Sequence, residues 1–144
     1  MLGRLARYMR IMGYDTMYPN LEITDTELIE ICQSEERFLL SRDRQICRRY
    51  KRSMYMESDR IEEQIMQVVS LEKPQRSRLF TRCTRCNGIL EKGSLNCREE
   101  FDPRKLDTVY HCPICGRCYW DGTHSDNILS KLNSLGVYNE DQGK

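Results

Sequence analysis

The chain has 144 residues, of which 39% are hydrophobic and 31% charged, with a formal net charge of +1. That length holds one ordinary domain, or one such domain with a small metal-stapled module attached, and excludes two large domains. The composition is that of a folded globular protein with a modest core, neither disordered nor strongly basic, and no apolar run approaches the length of a membrane span.

The opening Met1-Leu-Gly-Arg-Leu-Ala-Arg7 is broken too often by arginine to be a signal peptide, so a cytoplasmic protein without a membrane partner is expected. Residues 2–12 place Leu2, Leu5, Met9 and Met12 on one helical face and Arg4, Arg7 and Arg10 on another, with Gly13 as the C-cap. A short β-type segment is expected at Thr16–Tyr18. Thr24 and Glu27 then form a capping box that opens a helix through Leu28, Ile29 and Cys32. Phe38–Ser41 is a compact apolar run between two helical patterns, as buried parallel strands usually are. Asp43 follows it directly. A basic helix from about Arg44 to Lys51 leads to a second strand-like run, Ser53–Met56, and then to Asp59 and a helix carrying Ile61, Ile65, Val68 and Val69. Strands alternating with helices imply an α/β fold, a small parallel sheet with helices on both faces. This domain is expected over 1–72, with the polar, proline-containing stretch 72–78 as a linker, a cysteine-rich module over 79–125 and a C-terminal tail over 126–144.

Four of the eight cysteines form the pairs Cys83-Thr-Arg-Cys86 and Cys112-Pro-Ile-Cys115, each of which holds two thiols on a tight turn so that all four can reach one zinc ion in tetrahedral geometry. Asn87 and Gly116 follow the second cysteine of each pair, where a knuckle needs a residue tolerant of positive φ. The long spacer between the pairs suggests an inserted β-hairpin or loop. Four thiolates leave no open coordination position, so the zinc would be structural. Cys118 and His111 are rival ligands beside the second pair. Cys32 and Cys47 are expected as small buried hydrophobes, and Cys97 has no assigned partner.

Asp25 opens a helix, and Asp43 and Asp59 follow strands, so a parallel sheet would bring the three towards one edge. Converging carboxylates would suit magnesium or manganese and phosphodiester hydrolysis. Each aspartate is equally natural as a helix start or a solvated side chain. Arg44, Arg48 and Arg49, with Arg42, Lys51 and Arg52, make the densest basic stretch around Asp43. They could track a phosphate backbone or form an ordinary solvated face. Tyr110, Tyr119 and Trp120 could stack on unpaired bases or fill the small core of the cysteine module. His124 is a candidate for phosphate contact or proton transfer, with a local structural hydrogen bond the preferred reading.

The segments Met1-Leu-Gly-Arg-Leu-Ala-Arg, Gly13-Tyr-Asp-Thr, Leu40-Ser-Arg-Asp43, Cys83-x-x-Cys86-Asn, Cys112-Pro-x-Cys115-Gly and Tyr119-Trp-x-Gly-Thr-His124 together resemble the Mut-seven C-terminal RNase domain family, over residues 1 to about 125. The resemblance implies a PIN-like nuclease fold followed by a zinc ribbon, and a metal-dependent ribonuclease whose acidic cluster includes Asp43 and Asp25, with Asp59 a looser match. Family members begin with a β-strand carrying an aspartate just ahead of the Met-Leu-Gly-Arg segment. Relative to them the chain is expected to be N-terminally truncated, with an exposed sheet edge that a second copy or a partner protein would cover. The function expected is a divalent-metal-dependent ribonuclease acting on RNA. The alternative is a non-catalytic RNA- or protein-binding zinc-ribbon module with a vestigial acidic site.

Overall fold

The computed structural model describes residues 2–19, 22–93, 109–120 and 122–138. Helix α1 (Gly3–Ile11) stops where Gly13 turns to φ +96°. The Gly13 and Tyr14 amides then reach back to the carbonyls of Arg10 and Met9 at 3.0 and 2.9 Å, a Schellman ending that only a residue without Cβ makes cheaply. Arg78 explains why no side chain fits there: a Cβ on Gly13 would meet the Arg78 carbonyl oxygen at 2.6 Å.

Helix α2 (Asp25–Ser34) carries the expected capping box. The Thr24 hydroxyl accepts from the Glu27 amide and the Glu27 carboxylate accepts from the Thr24 amide, each at 3.1 Å. Strand β1 (Leu39–Ser41), helix α3 (Arg44–Arg49), strand β2 (Ser53–Tyr55) and helix α4 (Ile61–Leu71) follow. The two strands pair in parallel, with Leu39 opposite Ser53 and Leu40 opposite Met54.

Because side chains alternate across a strand, β1 serves two cores. Leu39 joins Ile29, Cys32, Ile46 and Tyr50 on the α2–α3 face. Leu40 and Met54 pack against the larger cluster on the other face, where Leu5, Met12, Met56, Ile61, Ile65 and Val68 meet. Cys32 and Cys47 sit in or against the smaller cluster, as small hydrophobes should.

Thr16–Tyr18 does not form a strand. Its polar backbone is spoken for elsewhere: the Thr16 amide donates to Asn87 Oδ1 at 3.0 Å and its carbonyl accepts from Arg10 Nε at 2.9 Å. Among the described residues the parallel sheet therefore has two strands. The stretch 72–78 contains a 3₁₀ turn, Arg76–Arg78, and is bound down on both sides: the Tyr14 hydroxyl donates to the Glu72 carbonyl, and the Phe80 amide to the Ile11 carbonyl at 2.8 Å.

Strands β3 (Glu91–Lys92), β4 (Tyr110–His111) and β5 (Cys118–Tyr119) make a second, antiparallel sheet. Positions 94–108, Cys97 among them, lie outside the described residues. Helix α5 (Thr123–Ser134) follows. The segment expected as a tail from residue 126 instead contributes Leu132, Val137 and Tyr138 to the larger core, all at most 2% exposed.

Candidate metal centre

Each cysteine pair folds into the same turn. In the first, the Asn87 amide donates to the Cys83 carbonyl at 2.9 Å and the Cys83 amide to the Gly88 carbonyl at 2.8 Å. In the second, the Gly116 amide donates to the Cys112 carbonyl at 2.9 Å and the Cys112 amide to the Arg117 carbonyl at 2.8 Å. Asn87 (φ +73°) and Gly116 (φ +79°) occupy the left-handed position that closes each turn.

The four sulfurs of Cys83, Cys86, Cys112 and Cys115 all lie within 4.8 Å of one another, and they are close enough to hold a metal ion. Cys83 to Cys115 is 3.6 Å and Cys86 to Cys112 is 3.3 Å. A tetrahedron with zinc–sulfur bonds of about 2.3 Å puts its sulfurs about 3.8 Å apart, so the cluster has the size that zinc requires. Cys83 and Cys112 are fully buried, and Cys86 and Cys115 half-buried. No other group of three or more His, Cys, Asp or Glu side chains among the described residues is gathered closely enough for a metal.

The rival ligands are engaged elsewhere. Cys118 is disulfide-bonded. His111 turns to the neighbouring strand, with Nδ1 3.1 Å from the Gly93 carbonyl and Nε2 3.6 Å from the Glu91 carboxylate. Tyr119 is a structural neighbour of the centre, with its hydroxyl 3.0 Å from Cys83 Sγ and accepting from the Thr84 amide at 3.1 Å. Burial pushes the Cys83 thiol up, but the Tyr119 hydroxyl and the Cys86 and Arg85 amides outweigh it and bring it to about 7. Burial and the neighbouring Cys112 and Cys83 sulfurs push Cys86 up to about 12. Burial and the neighbouring sulfurs also push Cys115 up, so where these thiols crowd a point one deprotonates readily while Cys86 and Cys115 resist until a cation arrives.

The acidic candidates are not brought together in this way. Asp25, in the first turn of α2, Asp43 and Asp59 are all exposed and form no group within metal-holding distance. Asp43 stands just beyond β1 as the N-cap of α3, where its Oδ1 accepts from the Gln45 amide at 2.8 Å. Around it, Arg44, Arg48 and Arg49 are exposed on α3. Arg44 lies over the Tyr55 ring at 4.4 Å and Arg49 donates to the Thr26 hydroxyl at 2.8 Å, so of the three only Arg48 has no anchor among the described residues. Trp120 is half-buried beside the second knuckle. His124 is exposed in the first turn of α5, and the local hydrogen bond expected of it is absent among the described residues.

The residue that sequence reasoning misses is Arg10. Helical spacing puts it on the polar face of α1, yet it is 7% exposed and donates from one terminal nitrogen to the Thr84 and Arg85 carbonyls, inside the first knuckle, at 2.9 and 3.2 Å. The ribbon and α1 are thereby joined.

Compared with known families, the chain matches the model described as Mut7-C RNAse domain over residues 1–132. No curated protein and no solved structure matches it. No helix among the described residues is long and apolar enough to cross a membrane.

Proposed function

The chain belongs to the family described as Mut7-C RNAse domain, and on that premise we propose that it is a ribonuclease that hydrolyses RNA phosphodiester bonds. The observation that carries the proposal is the family match across the α/β part and the ribbon together. Asp43 supports it locally, standing at the carboxyl end of a parallel strand, where α/β folds place their chemistry, amid the exposed Arg44, Arg48 and Arg49. Those arginines would hold the phosphate backbone, and Trp120 would stack on a base. In this reading zinc is the ion of the four cysteines and is structural, since a closed thiolate sphere offers no site for water.

Magnesium or manganese would need several oxygen ligands converging on one point. Asp25, Asp43 and Asp59 do not converge so, and no hydrolytic step is assigned through an ion bound among them. The proposal of divalent-ion dependence is tested directly by cleavage of single-stranded RNA with and without magnesium or manganese, using the zinc-loaded protein and its Asp43→Asn variant. Asparagine also caps helices well, so α3 should survive the change. Cleavage that needs the divalent ion and is lost in Asp43→Asn is the expected result. Cleavage indifferent to both would remove this site.

A binding module is the second reading, and one observation favours it: Ile114, within the second knuckle, and Ile89, just after the first, are 73% and 55% exposed. A ribbon presenting two isoleucines is suited to a protein partner. The proposed homodimer or partner at the sheet edge finds support in an open groove of about 720 Å³ bordered by β1, with Leu5, Met9, Met12, Leu40 and Val68 in its walls. Folded, zinc-loaded protein that cleaves no RNA under any of these conditions would favour this second reading.

A further inference from the structure

Arg10 carries a positive charge into a site that is only 7% exposed, and no carboxylate of the described residues pairs with it. Its side-chain hydrogen bonds among those residues go to neutral carbonyls, those of Thr16, Thr84 and Arg85. Burying an unpaired cation is so costly that such a charge persists only where something nearby is negative. Thr84 and Arg85 are the two residues between Cys83 and Cys86. Four thiolates around a divalent ion leave a net charge of about −2, which the same logic says needs a counter-charge.

Resting on the reading of the four cysteines as a zinc site, we propose that Arg10 is the counter-ion of that centre, a positioning residue that stabilises the tetrathiolate from outside its coordination sphere and ties it to α1. Arginine suits this role better than lysine. Its flat fork spans carbonyls from two chain segments at once, Thr16 on one side and the knuckle on the other, while a lysine ammonium is a single strongly hydrated point. Burial lowers the Arg10 pKa, a shift that a negative charge beside it would oppose. The bonds to Thr84 and Arg85 fix the knuckle's two middle residues, so the same side chain sets the direction of the Cys83 and Cys86 sulfurs.

The test measures zinc affinity by competition with a chromophoric chelator for wild type, Arg10→Gln and Arg10→Lys, each in two backgrounds. One background has all four cysteines. The other carries Cys86→His, which lowers the negative charge of the centre by one, with Cys115→His as the substitute if that protein holds no zinc. In the native background Arg10→Gln should weaken zinc binding about tenfold or more, as loss of an outer partner of a metal site does. In the histidine background the same change should cost distinctly less, because there is less charge to offset. Arg10→Lys keeps the charge and loses the fork, so its smaller cost should be equal in the two backgrounds. If Arg10→Gln does not fold, Arg10→Met takes its place as the neutral side chain of similar length, with the same difference between backgrounds expected and the same equality overturning the assignment. Equal costs for Arg10→Gln in both backgrounds would reduce Arg10 to a packing role and overturn the proposal. A wild-type chain that holds no zinc at all would overturn the metal reading as well.

Discussion

Asp15 and Asn87, 72 positions apart, are joined by a hydrogen bond of 2.6 Å from the asparagine amide to the carboxylate. Asn87 also accepts from the Thr16 amide through its Oδ1 at 3.0 Å. One residue therefore does two things: its left-handed φ closes the first knuckle, and its side chain clasps the stretch of chain leaving α1. Gly116, at the matching place in the second knuckle, can do only the first.

Replacement at Asn87 separates the two roles. Asn87→Gly keeps the backbone position and gives up the clasp, and should lower stability by roughly 1–2 kcal/mol while zinc stays bound. Asn87→Ala loses the clasp and also strains the turn, adding about 1 kcal/mol more. Thermal unfolding with parallel zinc analysis checks this. Equal losses for the two variants would mean that the φ requirement contributes nothing.

Asp15 gives the clasp a pH dependence. Burial raises its pKa, but the hydrogen bond from Asn87 and the Arg37 guanidinium 3.3 Å away outweigh it, and the net shift is downward from 3.8. A folded-state pKa below the unfolded one favours the folded state above the unfolded value, and the gain is lost as pH falls through the folded value. Asp15→Asn should therefore be less stable than wild type at neutral pH, with the gap closing below about pH 4. Urea midpoints across the acid range read this out, and a gap that widens with acid would contradict it.

Zinc content is expected at one ion per chain. Ligand binding and local folding of the knuckles are one event, so Cys83→Ser or Cys112→Ser should lose the ion and open the ribbon to protease. Cys32→Ser, in the small core of the other face, should keep it. Elemental analysis after gel filtration distinguishes the cases. Stoichiometric zinc in both knuckle variants would sink the assignment.

The arginines of α3 yield a measurement of their own. Joint replacement of Arg44, Arg48 and Arg49 by glutamine should weaken RNA binding and flatten its dependence on salt, by up to about 0.7 in logarithmic slope for each phosphate no longer neutralised on a single strand. A solvated face would leave the slope unchanged. Arg49 also gives up its bond to Thr26, so helix content should be monitored alongside.

Local signals in the chain are legible where a short stretch decides its own conformation. The capping box at Thr24 and Glu27, the stop at Gly13, and the two knuckles with Asn87 and Gly116 all form as their sequences suggest. Short-range pattern fails where long-range contacts decide. Thr16–Tyr18 has the composition of a strand, but Arg10 and Asn87 take up the polar groups of Thr16. Ile128, Leu132 and Leu135 recur at helical spacing, and that signal points to α5 even though the zinc motif ends just before it. Arg10 is beyond such reading altogether: at its position in α1 it looks like the exposed Arg4 and Arg7, and its partners, the Thr16 carbonyl and the knuckle, come from elsewhere in the chain.

The larger core holds Leu5 and Tyr138 together, so its earliest and latest members in the chain are separated by nearly the whole sequence. Protein synthesis delivers residues in order, at about 5–20 per second, and a nascent chain cannot bury Leu5 and Met12 fully until α5 has emerged from the ribosome. The two knuckles emerge before that. Their sulfurs can capture an ion while the apolar face of α1 is still waiting for its last partners, and Arg10 then fixes α1 to a closed knuckle. Metal supply during translation would thus bear on how much of the newborn protein reaches the native state and how much aggregates.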